Sequence, residues 1–139
     1  MYHVQSCSEE DKTYIVDNLV AYNLTKVPSE QEELLLDLSR KAVNEEGKII
    51  GGIIAKMYCW NCVYVDSLWV SEESRGNGLG RTLLQDVEAD ARLNQATLIH
   101  LDTFDFQAKE FYEKLGYEVF GILEGCPKGH TRYYLKKSL

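Results

Sequence analysis

The sequence predicts one α/β domain in which an antiparallel meander leads into a strand–helix–strand unit. Short apolar runs are separated by turn residues in the first half of the chain, as in a strand meander. A glycine-rich turn then precedes apolar residues at four-residue spacing, which predicts an amphipathic helix: Leu79, Leu83, Val87 and Ala91. The 139 residues suffice for one hydrophobic core but not for two, so residues 1–139 form one predicted domain. This order of elements makes a mixed sheet with helices on both faces.

The individual elements follow in order along the chain. Ser8 and Asp11 form a capping-box signal for a first helix, which the apolar stripe Ile15, Leu19 and Tyr22 continues to about residue 23. Residues 29–32 can open another helical turn after Pro28. The glycine-turn helix ends near residue 94, and a further helix surrounds Phe111. The predicted strands are 2–6, 33–43, 48–58, 63–70, 98–101, 117–123 and 132–136, with Gly51-Gly52 as a bulge or a ligand-facing thin point.

Composition limits the classes of function. Hydrophobic residues make up 45% and charged residues 27%, which is ordinary for a globular chain. Fifteen basic and twenty-two acidic residues give a net charge of −7, which argues against nonspecific nucleic-acid binding and favours a cationic partner such as an amine. No apolar run reaches membrane-spanning length, and the start of the chain lacks a signal-peptide pattern, so we expect no membrane partner and a cytoplasmic location.

The segment Arg75-Gly76-Asn77-Gly78-Leu79-Gly80-Arg81 indicates an anion-binding turn. Alternating glycines let the main chain approach a ligand closely, and the following helix contributes its unpaired first-turn amides and its positive dipole end. Phosphate is the anion that such a turn typically holds. The spacing fits neither the dinucleotide fingerprint G-x-G-x-x-G nor a P-loop, which requires Gly-Lys-Ser/Thr. Within this segment two positive charges and no negative charge offset the acidic balance of the whole chain.

A second segment, Ala108-Lys109-Glu110-Phe111-Tyr112-Glu113-Lys114-Leu115-Gly116-Tyr117, places its apolar residues on one helical face. Together the two segments resemble the GNAT superfamily of acyl-CoA N-acyltransferases, whose motifs read Arg/Gln-x-x-Gly-x-Gly/Ala and A-x-x-F-Y-x-K-x-G-F/Y. The resemblance spans roughly residues 48 to 136. It implies that acetyl-CoA is the co-substrate, that an amine is the acceptor, that no metal takes part, and that the chain forms a homodimer.

The resemblance also implies how acetyl-CoA binds. The strands at 63–70 and 98–101 run parallel in this superfamily and splay apart, and the pantetheine arm of the coenzyme fills the opening. The residues that we expect at the coenzyme are Leu68, Trp69, Val70, Arg75, Gly76, Asn77, Gly78, Leu79, Gly80, Arg81, Asp105 and Tyr112. We expect the main chain of Val70 to make the contact and the side chain of Trp69 to lie in the core. Asp105 stands where many members have asparagine, and a carboxylate cannot donate the hydrogen bond that an amide can.

Two residues are predicted to carry the chemistry. Tyr112 matches the position of the superfamily's usual general acid, which protonates the coenzyme sulfur. Asp66 interrupts the apolar run 63–70 and shares side-chain parity with Leu68 and Val70, so it either faces the cleft as the general base or lies on a solvated edge. Asp102 and Asp105 are the alternative bases. His130 either borders the acceptor cleft or is a solvated loop residue.

Two other functions remain open from the sequence. The chain could be a non-catalytic acyl-CoA-binding or sensor module, which would need the glycine turn but neither acid nor base. Alternatively, Cys59 and Cys62 have the spacing of half a zinc site or of a redox dithiol. Cys7 and Cys126 provide no second pair, and the predicted position at a hairpin tip lacks the helix start that activates redox thiols.

Overall fold

The computed structural model describes all residues from 1 to 139. Its helices are α1 (Glu9–Lys26), α2 (Leu79–Leu93) and α3 (Lys109–Lys114), with a short 3-10 helix at Glu72–Ser74. Its strands are β1 (Leu35–Asp37), β2 (Arg40–Val43), β3 (Ile49–Tyr58), β4 (Cys62–Val70), β5 (Leu98–Phe104), β6 (Glu118–Glu124) and β7 (Thr131–Ser138).

The strands form one mixed sheet of seven strands in the order β1-β3-β4-β5-β7-β6, with β2 beside β1 on the same edge of β3. Only β4 and β5 are parallel neighbours, because α2 connects them as a crossover. The other pairs are antiparallel hairpin or meander pairs. This arrangement confirms the predicted mixed α/β fold.

The N-terminal half differs in detail from the sequence prediction. Residues 2–6 form no strand, and residues 29–32 form bends rather than a helical turn. The strand predicted at 33–43 is interrupted between β1 and β2, because the Leu38 side chain turns into the core, where it is 1% exposed. The Ser39 hydroxyl takes the place of a main-chain acceptor at the break, since it accepts a hydrogen bond from the Ala55 amide at 3.2 Å.

Helix α2 covers one face of the sheet. Its apolar stripe, which includes Leu84 and Val87, is buried together with Ile53 of β3. Gly51 permits this close approach, because a Cβ atom there would lie 3.1 Å from Leu79 Cδ2 and 3.1 Å from the Trp69 carbonyl oxygen. Gly51 is therefore a thin point toward α2 rather than toward a ligand.

A buried polar network ties α2 to the C-terminal strands. Glu88 is 3% exposed and accepts a hydrogen bond from the Tyr117 hydroxyl at 2.6 Å. The Lys137 ammonium donates to both Glu88 carboxylate oxygens at 3.1 Å and to the Leu115 carbonyl at 2.8 Å. Burying the Glu88 charge is tolerated because it is paired and hydrogen-bonded.

We expected helices on both faces, but α2 and α3 share one face. Tyr112 of α3 belongs to the same buried cluster as the apolar stripe of α2. Helix α1 begins with the predicted capping box, in which Asp11 accepts from the Ser8 amide at 2.8 Å and Ser8 accepts from the Asp11 amide at 3.1 Å. It contributes no buried residue and covers neither face.

Candidate active site

Strands β4 and β5 separate partway along their length, as the family resemblance implies. Their pairing covers only three positions, which end with Tyr64 opposite His100. Beyond that point β4 continues to Val70 and β5 to Phe104 without pairing to each other. The main-chain groups along the opening are therefore available to a ligand that runs between the strands.

The glycine turn lies at the wide end of this opening. Gly76 and Gly78 adopt φ values of +82° and +78°, which residues with a Cβ atom rarely adopt. Gly78 is the N-cap of α2, and no side chain caps this helix end. The first-turn amides of α2 thus remain free to bind an anion.

Two arginines flank these amides without being neutralised. Neither Arg75 nor Arg81 forms an ion pair within the chain. Arg75 instead donates its Nε hydrogen to the Val70 carbonyl at 3.0 Å, which holds its guanidinium at the end of β4. Two unpaired cations and a helix N-terminus make this end of the opening locally positive.

A cavity of about 700 Å³ runs from the turn along β4 to α3. Its size lies in the usual range for a small-molecule or cofactor site. Of the predicted coenzyme-binding residues, only Asn77 and Asp105 are not in its lining. Trp69 lines this cavity at 53% exposure, so our expectation of a core side chain was wrong. The reason is that Trp69 pairs with Gly52 on the face of the sheet away from α2.

A smaller cavity of about 270 Å³ lies between β4 and β5, on the other side of Tyr112. The two cavities share four lining residues at their junction: Leu68, Gln107, Ala108 and Tyr112. A group bound in one cavity can therefore meet a group bound in the other at the Tyr112 side chain.

Tyr112 is held by packing and not by its hydroxyl group. The residue is 6% exposed, and its ring stacks edge-on against Phe111 and Tyr117. The hydroxyl forms no hydrogen bond within the protein, yet it is not sealed from solvent. Burial, aided by the negative charge of Asp102, raises the pKa of Tyr112 to about 12. The hydroxyl is consequently protonated at neutral pH and free to donate to a bound group.

Asp66 lies in the lining of the smaller cavity. The sequence predicted that the Asp66 side chain lies on the same face of β4 as Leu68 and Val70. That prediction was wrong, because the β3–β4 register shifts here and Asp66 is the extra residue between Val65 and Ser67. The bulge leaves the Asp66 carboxylate exposed, and it accepts a hydrogen bond from the Ser67 hydroxyl at 3.0 Å.

Asp102 also lines the smaller cavity, but its carboxylate is engaged on both oxygens. One oxygen accepts from Arg132 Nε and Nη2 at 2.9 and 2.5 Å, and the other accepts from the Tyr64 hydroxyl at 3.1 Å. The same contact raises the pKa of Arg132. Both Asp102 carboxylate oxygens are therefore already bonded to donors of the protein, whereas the Asp66 carboxylate accepts only from Ser67.

Asp105 and His130 form a pair beside the cavities. Asp105 accepts from the Thr131 amide and is bonded to His130 Nδ1, both at 2.9 Å. Burial works to raise the pKa of Asp105, but these hydrogen bonds outweigh it and lower the pKa. The pair ties the loop after β5 to the start of β7, and Asp105 lines neither cavity.

Two residues at the site were not predicted from the sequence. Gln107 lines both cavities, and its side-chain oxygen is fixed by the Phe104 amide at 2.9 Å. Arg132 joins the site through Asp102, thirty residues away in sequence. Gln107 lies one residue before the motif at 108–117, and this position is the feature of the sequence that indicates a place at the site. No signal in the sequence marked Arg132, since only the β5–β7 pairing brings it near.

The cysteine pair lies at the β3–β4 hairpin turn, as predicted. Burial, followed by the charge of Glu30, raises the pKa of the Cys62 thiol, which disfavours the reactive thiolate. No group of three or more His, Cys, Asp and Glu side chains is placed to hold a metal ion. None of the helices has the length and apolar character needed to cross a membrane.

Several known proteins are similar to this chain in sequence and in fold. Residues 7–117 match the family described as the acetyltransferase (GNAT) family. The blasticidin-S acetyltransferase of Streptomyces morookaense is 36% identical over 99 residues, which cover 70% of this chain and 72% of that protein. An acetyltransferase of Agrobacterium fabrum is 30% identical over 128 residues, which cover 92% of this chain and 90% of that protein.

A solved structure extends the similarity to the whole chain. The crystal structure of an acetyltransferase from Bacillus cereus ATCC 14579 superposes with a TM-score of 0.89 at 37% identity, covering 99% of this chain and 98% of that chain. Residues 1–26 make up close to a fifth of the 139 residues, so the TM-score could not reach 0.89 if this segment were placed differently in the two structures. The superposition therefore includes the N-terminal helix. The chain belongs to the GNAT family and is an acetyl-CoA-dependent N-acetyltransferase.

Proposed function

We propose that this enzyme moves the acetyl group of acetyl-CoA to a primary amine of a small molecule or peptide, by direct transfer in a ternary complex. The observation that carries the proposal is the junction of the two cavities at Tyr112. A donor that occupies the larger cavity and an acceptor that occupies the smaller one meet there. Direct transfer needs this contact between substrates, whereas a non-catalytic acyl-CoA-binding module does not.

The larger cavity suits the coenzyme from end to end. The pyrophosphate would lie against the α2 amides, with Arg75 and Arg81 as its counter-charges. The pantetheine arm would run beside β4 past Val70 and Leu68, where the edge of β4 that faces β5 lacks a partner strand. This path brings the thioester to Tyr112.

The reaction then requires two bond changes, formation of the C–N bond and cleavage of the C–S bond, and two proton transfers. The neutral amine nitrogen attacks the thioester carbonyl carbon, the C–S bond breaks, and the sulfur departs with the bonding electron pair. The amine proton leaves through a base, and the sulfur is neutralised by a proton. An amine with a pKa near 10.4 is neutral in only about one molecule in a few thousand at pH 7, so a base or a water chain to one is needed.

Tyr112 is the proposed general acid. Its hydroxyl donates to the sulfur while negative charge builds there, because it has no competing partner within the protein. A pKa of about 12 keeps the Tyr112 hydroxyl protonated at neutral pH, so it is available as a donor to the sulfur. Asp66 is the proposed base, since its carboxylate lines the acceptor cavity and is less engaged than that of Asp102.

The smaller cavity favours a cationic acceptor. Its lining carries Asp66, Asp102, Arg132 and the aromatic ring of Phe104, and because Arg132 pairs with Asp102, the Asp66 carboxylate is the uncompensated charge. Since a relative at 36% identity is named for blasticidin S, amine-bearing antibiotics of that kind are the first acceptors to test. Peptides, polyamines and aminoglycosides complete the panel.

One experiment tests both halves of the proposal. The enzyme is incubated with acetyl-CoA and each acceptor, and released thiol is followed. Acceptor-dependent thiol release supports the proposal. Calorimetric binding of acetyl-CoA without release for any acceptor would favour the non-catalytic module instead.

A charge reversal tests the donor side separately. Arg75→Glu places a negative charge beside the pyrophosphate, so we expect acetyl-CoA binding to weaken by about 100-fold, the upper range for a lost charged contact. Lys128→Glu makes the same charge change on an exposed loop and serves as the control. Equal binding by the two variants in calorimetry would contradict the assignment of the turn.

The predicted homodimer and cytoplasmic location stay predictions.

A further inference from the structure

Helix α1 projects from the domain with its apolar side chains in solvent. Ile15, Leu19 and Tyr22 form one stripe along it and are 55%, 58% and 60% exposed. Burying large apolar side chains is favourable, so this stripe would be stabilised by a partner surface. Val16 is 55% exposed about 100° around the helix from this stripe. A helix that is apolar on more than one side is normally covered on those sides.

The sheet has a matching uncovered surface, which we call the open face. It is the face opposite α2, and the strand register places the following large side chains on it: Ile54, Tyr58, Tyr64, Trp69, His100, Phe104 and Tyr134. Ile54 is 54% exposed there, although it lies in the long central strand β3. Trp69 is also exposed, and the other five side chains are half-buried among one another. An apolar and aromatic surface that no helix covers marks a site of contact with another element.

A free sheet edge lies beside the open face. No strand pairs with the outer edge of β1 and β2. Residues 2–6 alternate apolar and polar side chains, and Tyr2 and Val4 are almost fully exposed. Residues 2–6 and the outer edge of β1 and β2 therefore both have main-chain hydrogen-bonding groups without a partner strand in the same chain.

The two surfaces also differ in charge. Residues 1–26 carry four acidic side chains (Glu9, Glu10, Asp11 and Asp17) and two lysines. The open face carries Lys56 and Lys136, and Asp37 and Glu118 lie opposite these lysines in the register, so the face is mixed in charge. The acidic side chains of α1 can pair with these lysines, so charge permits the contact, whereas the uncovered apolar surfaces favour it.

The connection after α1 is fixed rather than folded back. The Trp60 indole donates to the Val27 carbonyl at 2.9 Å, and the Ser29 hydroxyl donates to the Cys59 carbonyl at 2.9 Å. These bonds anchor the connection to the β3–β4 hairpin while α1 points away. The superposition on the Bacillus cereus acetyltransferase includes this helix, so the projection is shared with a protein that was crystallised.

We infer that two copies of this chain exchange residues 1–26, so that each α1 packs on the open face of the other copy. Residues 2–6 of each copy then extend the free edge of β1 and β2 of the other. A second copy is the occupant that fits, because one chain provides one uncovered helix and one uncovered face. A two-fold exchange satisfies both surfaces in both copies.

The exchange would also complete the acceptor cavity, a consequence that rests on the proposed function. Asp102, Phe104 and Arg132 belong to both the open face and the lining of the smaller cavity. A helix from the second copy that lies on this face borders the acceptor. The loss of the exchange should therefore raise the KM for the acceptor and leave the KM for acetyl-CoA unchanged.

The oligomeric state is the first test. Sedimentation equilibrium of the full chain should give twice the 15.9 kDa chain mass over about a hundredfold range of concentration. Leu19→Asp places a charge in the apolar stripe and should give 15.9 kDa. Thr13→Asp adds the same charge on the opposite side of α1 and should stay dimeric. A monomeric wild-type chain would overturn the inference, whatever the activity assays show.

Crosslinking separates exchange from other dimers. A benzophenone amino acid replaces Leu19, and isotopically labelled and unlabelled chains are mixed before irradiation. Crosslinked peptides that join position 19 of one isotope form to β3 or β4 of the other form support the exchange. Crosslinks confined to one isotope form, or crosslinks between the two α1 helices alone, would refute it.

Discussion

Removing a single oxygen atom from Tyr112 should separate catalysis from stability. The Tyr112 hydroxyl forms no hydrogen bond within the protein, so Tyr112→Phe leaves no buried group unpaired. The ring packing against Phe111 and Tyr117 is retained. We therefore expect the free energy of unfolding to change by less than about 0.5 kcal/mol.

The catalytic effect should be large by comparison. Loss of one donor to a developing negative charge costs about 10²–10³ in kcat. The lower end applies here, because the hydroxyl is open to the cavity and a water molecule can partly replace it. We expect kcat to fall by about 100-fold, which corresponds to about 2.7 kcal/mol, with little change in the KM for acetyl-CoA.

Tyr117→Phe is the matched control, since both tyrosines are buried neighbours and only Tyr112 lines the cavities. Tyr117 donates to buried Glu88 at 2.6 Å, so its loss should cost about 2 kcal/mol of stability and leave kcat within about twofold. Single-turnover acetyl transfer and urea unfolding measure the two effects. A Tyr112→Phe enzyme with the wild-type single-turnover rate would refute the assigned role.

Three further changes test the base, the buried network and the alkaline limit of stability. Asp66→Asn should abolish the acidic limb of the pH profile of kcat/KM, and a retained limb would exclude Asp66 as the base. Lys137→Met leaves the buried Glu88 carboxylate without its cation, so urea unfolding should show a loss of about 3 kcal/mol that Glu88→Leu combined with Tyr117→Phe largely restores, because together they remove the other side chains of the network. Raised pKa values of Tyr112 and Tyr117 mean that the folded state holds these protons more tightly. The two groups therefore leave the free energy of unfolding independent of pH below about pH 10 and lower it as pH rises toward 12, where the loss due to Tyr112 approaches about 3 kcal/mol. Tyr112→Phe should lose correspondingly less stability between pH 8 and pH 11, and an equal loss in both proteins would contradict this account.

The residues that the sequence located well belong to short motifs with local causes. The turn from Arg75 to Arg81 was predicted because glycine spacing, helix start and charge lie within a few consecutive residues. The helix that carries Tyr112 was predicted because its apolar positions repeat on one face. Both depend on main-chain geometry that nearby residues fix.

Long-range pairing explains what the sequence did not show. Arg132 reaches Asp102 only because β7 pairs with β5. Asp66 lies at the acceptor cavity through a register shift between β3 and β4 that no local pattern announces. Trp69 is exposed because the face on which it lies is not covered by a helix of its own chain.

The sequence by itself determined the order of elements, the glycine turn before α2 and the helix that carries Tyr112, since periodicity and glycine spacing over short stretches fix these features. Only the tertiary structure decided that two cavities meet at Tyr112 and that α1 leaves the open face bare. Those features arise where elements distant in sequence pack together or fail to, and local propensity carries no information about that.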